Sequence, residues 1–126
     1  MTIKHYSSDT APPPAGTYSL AVRAGGLIFL SGQTPRDCNN VRHGDKPFET
    51  QARMTLENLR AAAEAAGSSL NHAVKVNVFL RDPSTQAKVF DAIYKEFVGS
   101  PPPARTLTQS NLPGFDIEID ATLATE

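Results

Sequence analysis

The sequence predicts one α+β domain, residues 1–126, with a mixed sheet carrying two helices on one face. Three observations carry this expectation. Short apolar runs of strand character cluster near both ends of the chain, and one more lies between two long stretches of helical periodicity. Strands separated by helices, with hairpins expected at both ends, give an α+β layer arrangement. At 126 residues the chain is long enough for one core and too short for two.

The elements follow in order. Ile3 to Tyr6 can supply an extra first strand. Ala11-Pro12-Pro13-Pro14-Ala15-Gly16 is a rigid loop, because proline fixes φ and has no donor. Tyr18–Arg23 and Leu27–Ser31 are apolar runs split by Ala24-Gly25-Gly26, the pattern of a β-hairpin. Leu27-Ile28-Phe29-Leu30 is apolar throughout, which suits a strand buried on both faces. Pro35 to Pro47 is a polar loop. Phe48 to Ala66 reads as a helix, with Phe48, Ala52, Leu56, Leu59, Ala63 and Ala66 on one stripe and Gly67 as its stop.

His72 to Leu80 alternates, with Val74, Val76, Val78 and Leu80 on one face, and reads as a strand. Asp82-Pro83-Ser84 opens a second helix, whose apolar face is Val89, Phe90, Ile93, Tyr94 and Phe97. Gly99 and Pro101-Pro102-Pro103 end it. Ala104–Gln109 is a short strand, Leu112–Phe115 a turn, and Asp116–Ala124 a last alternating strand. Such a sheet has open edges and an uncovered second face, which pairing with other subunits would cover.

Composition removes several function classes. Hydrophobic residues make up 40% and charged residues 20%, an ordinary globular balance. The net charge is −1 and the twelve Lys and Arg are scattered, without the basic stripe of a nucleic-acid binder. No apolar run approaches membrane-spanning length, and no signal-peptide pattern opens the chain, so a cytoplasmic protein is expected. Cys38 is the sole cysteine, which excludes an internal disulfide and reads as a bystander surface thiol. His5, His43 and His72 show no metal-ligand spacing, and no metal site is expected.

Arg105 is the first candidate site residue. It follows Pro101-Pro102-Pro103-Ala104, a stretch with little backbone freedom, and its guanidinium matches a carboxylate through two parallel hydrogen bonds. Position alone leaves open a surface arginine, a structural ion pair or a carboxylate clamp. Glu118 and Asp120 share one face of the last strand, where a carboxylate can orient water or can simply be solvated. Tyr18 and Ser31 flank the first hairpin, where a strand end can meet a ligand or merely terminate.

Several marks along nearly the whole chain make it resemble the RidA/YjgF family of reactive-intermediate deaminases, also called L-PSP endoribonuclease-like proteins. They are Gly16–Val22, Leu30-Ser31-Gly32-Gln33-Thr34-Pro35, Gln51, Asn58, Ala66-Gly67, Val74–Asp82, Tyr94, Pro103-Ala104-Arg105-Thr106, Leu112-Pro113 and Ile117–Ala121. The resemblance implies the chorismate-mutase-like fold and a homotrimer whose three sheets form a barrel-like centre, with a cleft between each pair of subunits. It implies hydrolysis of 2-enamine and 2-imine carboxylic acids to 2-keto acids and ammonia, without a cofactor. Arg105 would grip the substrate carboxylate, Tyr18 and Ser31 would line the cleft, and Thr106 and Leu107 would follow Arg105 along its wall.

Asp120 falls where the family usually has the glutamate that positions the attacking water. Its side chain is one methylene, ~1.5 Å, shorter. Leu107, Asp91 and Leu20 also stand where cysteine, asparagine and glutamine are common. Two other functions are weighed beside deamination. A non-catalytic carboxylate-binding or regulatory protein would keep the arginine-lined cleft without turnover. An endoribonuclease or translation inhibitor is disfavoured by the near-neutral charge and the lack of a histidine pair.

Overall fold

The computed structural model describes residues 2–125. Six strands form one mixed sheet in the order β1-β2-β3-β6-β4-β5. They are β1 (Ile3–Tyr6), β2 (Ala21–Ala24), β3 (Leu27–Gln33), β4 (Ala73–Leu80), β5 (Ala104–Gln109) and β6 (Ile117–Ala124). Helices α1 (Phe48–Ala65) and α2 (Pro83–Tyr94) pack on one face, which is the predicted fold class.

Helix α1 turns Ala52, Leu56, Leu59, Ala62 and Ala63 inward against β3, β6 and α2. Ala66 caps it, and Gly67 follows at φ +77°, a left-handed conformation that glycine adopts without strain. A short 3₁₀ turn, Leu70–His72, stands where the sequence pattern placed the start of β4. In α2, Pro83 takes the first turn, and Phe90, Ile93 and Tyr94 face the core. Val89 is exposed rather than part of that face.

Two topological expectations are corrected. The last two strands do not form a hairpin. β6 inserts between β3 and β4, antiparallel to both, while β5 runs parallel to β4 at the sheet edge. Burial explains the choice. β6 contributes Ile117, Ile119, Ala121 and Leu123, all buried, whereas Leu107 is the only large apolar side chain of β5. A strand with the richer apolar row takes the centre.

The second correction concerns β3. Ile28 and Leu30 are buried beneath the helices, but Leu27 and Phe29 are 40% and 46% exposed. The helices cover one face only, so the apolar residues of the other face meet no second layer within the chain.

Candidate functional site

The open face of the sheet carries a pocket of about 300 Å³ at the end of β3. Tyr18, Ser31 and Glu118 line it together with Arg36 and Arg42. A register shift in the β3–β6 ladder, between Leu30 and Gln33, accompanies Ser31 at this wall. Glu118 lies so close to Gly32 that a Cβ there would sit 2.5 Å from Glu118 Oε2, so only glycine leaves the carboxylate where it is.

Hydrogen bonds define what each group offers a ligand. The Ser31 hydroxyl donates to the Ser19 carbonyl at 2.5 Å, which leaves its lone pairs to accept. The Tyr18 oxygen accepts from the Ala15 N–H at 3.1 Å and from Arg36 Nη2 at 3.2 Å, which leaves its own proton to donate. Burial raises the Tyr18 pKa, but the Ala15 and Arg36 donors and the charges of Arg36 and Arg42 outweigh it and hold the phenol below its usual range. Glu118 shifts the other way. Burial raises its pKa, Arg42 opposes this, and Asp120 adds to it.

The loop that closes the pocket is shaped by its own side chains and held by α1. Asp37 accepts from the Asn39 and Val41 N–H groups and from His43 Nε2, and this turn brings Arg36 and Arg42 opposite each other in an antiparallel bridge. The Asn58 amide donates to the Thr34 and Arg36 carbonyls at 3.1 and 2.8 Å. Buried Gln51 donates to the Gly44 and Lys46 carbonyls and accepts from the Asp116 N–H. Gln51 and Asn58 therefore aim a polar loop from the interior.

Asp120 lies next along the open face but outside this pocket. Its carboxylate accepts from Asn77 Nδ2 at 2.8 Å. Thr106 continues the same row on β5, where its hydroxyl accepts from Lys75 Nζ at 2.7 Å. Arg105 and Leu107 alternate with Thr106 and so lie on the helix side of β5. Leu107 packs against the core.

Arg105 turns over α2. Its Nη1 donates to Asp91 Oδ1 at 2.8 Å, and its guanidinium carbon sits 4.9 Å from the Tyr94 ring centre. These residues border a separate pocket of about 430 Å³ with Lys95, Val98 and Pro103. Burial pushes the Tyr94 pKa up to about 12, Arg105 lowering it and Asp91 raising it, so the phenol stays neutral at physiological pH.

The predicted site residues thus fall into two groups. Tyr18 and Ser31 meet in one pocket. Arg105 stands three strands away, ~14 Å across the ladder, and on the opposite side of the sheet from Asp120. The pattern missed Arg36 and Arg42, which lie in a loop without periodicity. It noted Glu118 only as a partner of Asp120, although Glu118 is the carboxylate that enters the pocket. Among the described residues no cluster of three or more His, Cys, Asp or Glu side chains could hold a metal. No helix among them is long and apolar enough to cross a membrane.

Comparison with known proteins agrees with this architecture. A RutC family protein of Pyrococcus horikoshii is 42% identical over 118 residues, covering 90% of this chain and 91% of its own. A Dermatophagoides farinae protein named 2-iminobutanoate/2-iminopropanoate deaminase is 34% identical over 95% of this chain and 94% of its own. The crystal structure of RidA from the Antarctic bacterium Psychrobacter superposes with a TM-score of 0.87 at 36% identity, covering 96% of this chain and 98% of that one. The family described as Endoribonuclease L-PSP matches residues 8–125, and the chain belongs to that family, the RidA/YjgF proteins.

Proposed function

We propose that the protein is a deaminase that hydrolyses 2-imine and 2-enamine carboxylic acids to 2-keto acids and ammonia, in clefts between the subunits of a homotrimer in the cytoplasm. The observation that carries this reading is the split of the candidate residues. Tyr18 and Ser31 offer complementary hydrogen bonds in one pocket, while Arg105 lies at the far edge of the sheet. A second copy bringing its Arg105 edge to this pocket would complete a carboxylate-binding cleft, and it would also cover the exposed Leu27 and Phe29. The relative named as an iminobutanoate/iminopropanoate deaminase supports the chemistry.

The reaction needs little beyond positioning. The enamine gains a proton at carbon and becomes an iminium ion. Water adds to the C=N carbon and loses a proton, and the resulting carbinolamine expels ammonia to leave the ketone. No redox change occurs. Arg105 would fix the substrate carboxylate through its planar fork. The Ser31 oxygen would accept from the iminium N–H, and the Tyr18 proton would meet an oxygen of the bound acid. Asp120 would take the water's proton.

One observation favours a second reading, a carboxylate-binding protein without turnover. Asp120 is already engaged by Asn77, and Arg105 by Asp91. The deciding assay generates 2-iminobutanoate in situ and follows 2-ketobutyrate release against buffer. The deaminase reading expects a faster release that Arg105→Ala removes. Equal rates for wild type, Arg105→Ala and buffer would leave the binding protein. Sedimentation equilibrium tests the trimer in the same preparation.

A further inference from the structure

The pocket beside Tyr18 and Ser31 holds two cations to which the deaminase reading gives no anionic partner. Arg36 is only 8% exposed, yet its Nε has no acceptor among the described residues. Its Nη2 donates to the Tyr18 hydroxyl and, at 3.5 Å, to the Pro13 carbonyl, both uncharged partners. Arg42 stacks on the Phe115 ring at 4.2 Å and donates from Nε to the Thr34 hydroxyl at 3.3 Å. Among the described residues neither arginine has an ion pair, as is also true of Arg23 and Arg81, whereas Arg53, Arg60 and Arg105 each have one.

A guanidinium withdrawn from water without a counter-charge is costly, by several kcal/mol in typical proteins. Arg36 is held in that state, while Arg42 beside it stays exposed. The Asp37 turn sets the two arginines opposite each other, and Asn58 holds the Arg36 backbone from α1. Among the described residues Glu118 is the one carboxylate lining the pocket, so two guanidiniums outweigh it and the pocket is positive even with Glu118 ionised. The volume of about 300 Å³ is the small end of ligand-pocket sizes, which suits a small acid.

We propose that Arg36 and Arg42 bind a second carboxylate of the ligand, so that the pocket selects 2-imine or 2-enamine dicarboxylates over short monocarboxylates. The reaction assigned to such a ligand rests on the deaminase reading; the dicarboxylate preference does not. Under that reading, water and the imine of a 2-keto diacid give the 2-keto diacid and ammonia. The distal carboxylate takes no part in bond changes. The class of reaction that must supply the substrate is oxidation or elimination at the nitrogen-bearing carbon of an amino diacid or its derivative.

Isothermal titration of the full chain with succinate and butyrate tests the preference, since the two acids have the same number of carbons and differ by one carboxylate. Succinate is expected to bind at least about tenfold more tightly, the size of effect a charge-assisted hydrogen-bonded pair produces. Arg42→Gln, a change at an exposed position, should bring the succinate-to-butyrate ratio close to one, and Arg36→Lys should lower it. If Arg36→Lys fails to fold by circular dichroism, Arg42→Gln decides alone. Equal affinities in the wild type, or an unchanged ratio in Arg42→Gln, would overturn the proposal. Inorganic phosphate binding more tightly than succinate, and losing that advantage in Arg42→Gln, would overturn the dicarboxylate assignment in favour of a phosphorylated acid. Turnover of imines generated from aspartate and alanine separates the two readings. A succinate preference without turnover removes the deaminase alone; turnover without the preference removes this proposal alone.

Discussion

Asn77 and Asp120 stand directly opposite each other on β4 and β6, and the Asn77 amide donates to the Asp120 carboxylate at 2.8 Å. This contact supports the carboxylate from β4. If Asp120 takes the water's proton, Asp120→Ala should lower kcat by about a hundredfold or more, the usual size of a lost general base. Asp120→Glu should also lower kcat, because the longer side chain overshoots the Asn77 amide. A large gain from Asp120→Glu in the ketoacid-release assay would instead mark the native chain as a binder rather than a catalyst.

Asp91 accepts from one nitrogen, Nη1, of the Arg105 fork that a substrate carboxylate would take. Their side chains are 28% and 58% exposed, so the pair contributes only about 0–1 kcal/mol to stability. Asp91→Asn should therefore leave the urea midpoint nearly unchanged. It should tighten binding of a simple carboxylate such as butyrate by about fivefold, the equivalent of removing a competitor worth about 1 kcal/mol. Weaker binding in Asp91→Asn would show that Asp91 orients Arg105 instead of competing for it.

Local patterns carried most of the elements but not their neighbours. The alternation of Ile117, Ile119, Ala121 and Leu123 announces a strand, yet alternation does not report which strands lie beside it. The central place of β6 follows from competition among all rows for burial, and β5 loses with Leu107 as its one large apolar residue. Tyr18, Ser31 and Arg105 stood out because they flank sharp backbone features. Arg36 and Arg42 did not, because their convergence depends on the Asp37 turn and on two amides reaching out of α1. The marks at Gln51 and Asn58 belonged to the family resemblance, and their work of holding that loop became visible only in three dimensions.

Glu118 makes stability depend on pH. Burial raises its pKa above the ordinary 4.5, Arg42 pulling it down and Asp120 pushing it up. The fold thus favours the protonated form. This contribution is complete below the unfolded-state pKa and is lost as pH rises through the folded-state value. Glu118→Gln, neutral at every pH, should be more stable than wild type at about pH 7.5, and its advantage should shrink towards about pH 4. Urea unfolding at the two pH values measures this, and a constant difference would contradict the raised pKa.

Gln51 joins the core to the pocket loop through a side chain that is 0% exposed. Its amide donates to the Gly44 and Lys46 carbonyls and to the Asp116 carboxylate, and its carbonyl accepts from the Asp116 N–H at 2.9 Å. Gln51→Leu keeps the volume but leaves these backbone groups without partners. An unmet buried polar group costs about 1–3 kcal/mol, so a total loss of about 3 kcal/mol is expected in urea unfolding. Gly44→Ala should destabilise by another route, since its Cβ would fall 1.7 Å from the Gly114 carbonyl oxygen and force the two loops apart. Both variants should also reduce succinate binding, because the loop they loosen carries Arg42. A stable Gln51→Leu with unchanged succinate affinity would show that the Asp37 turn and Asn58 shape the pocket without help from Gln51.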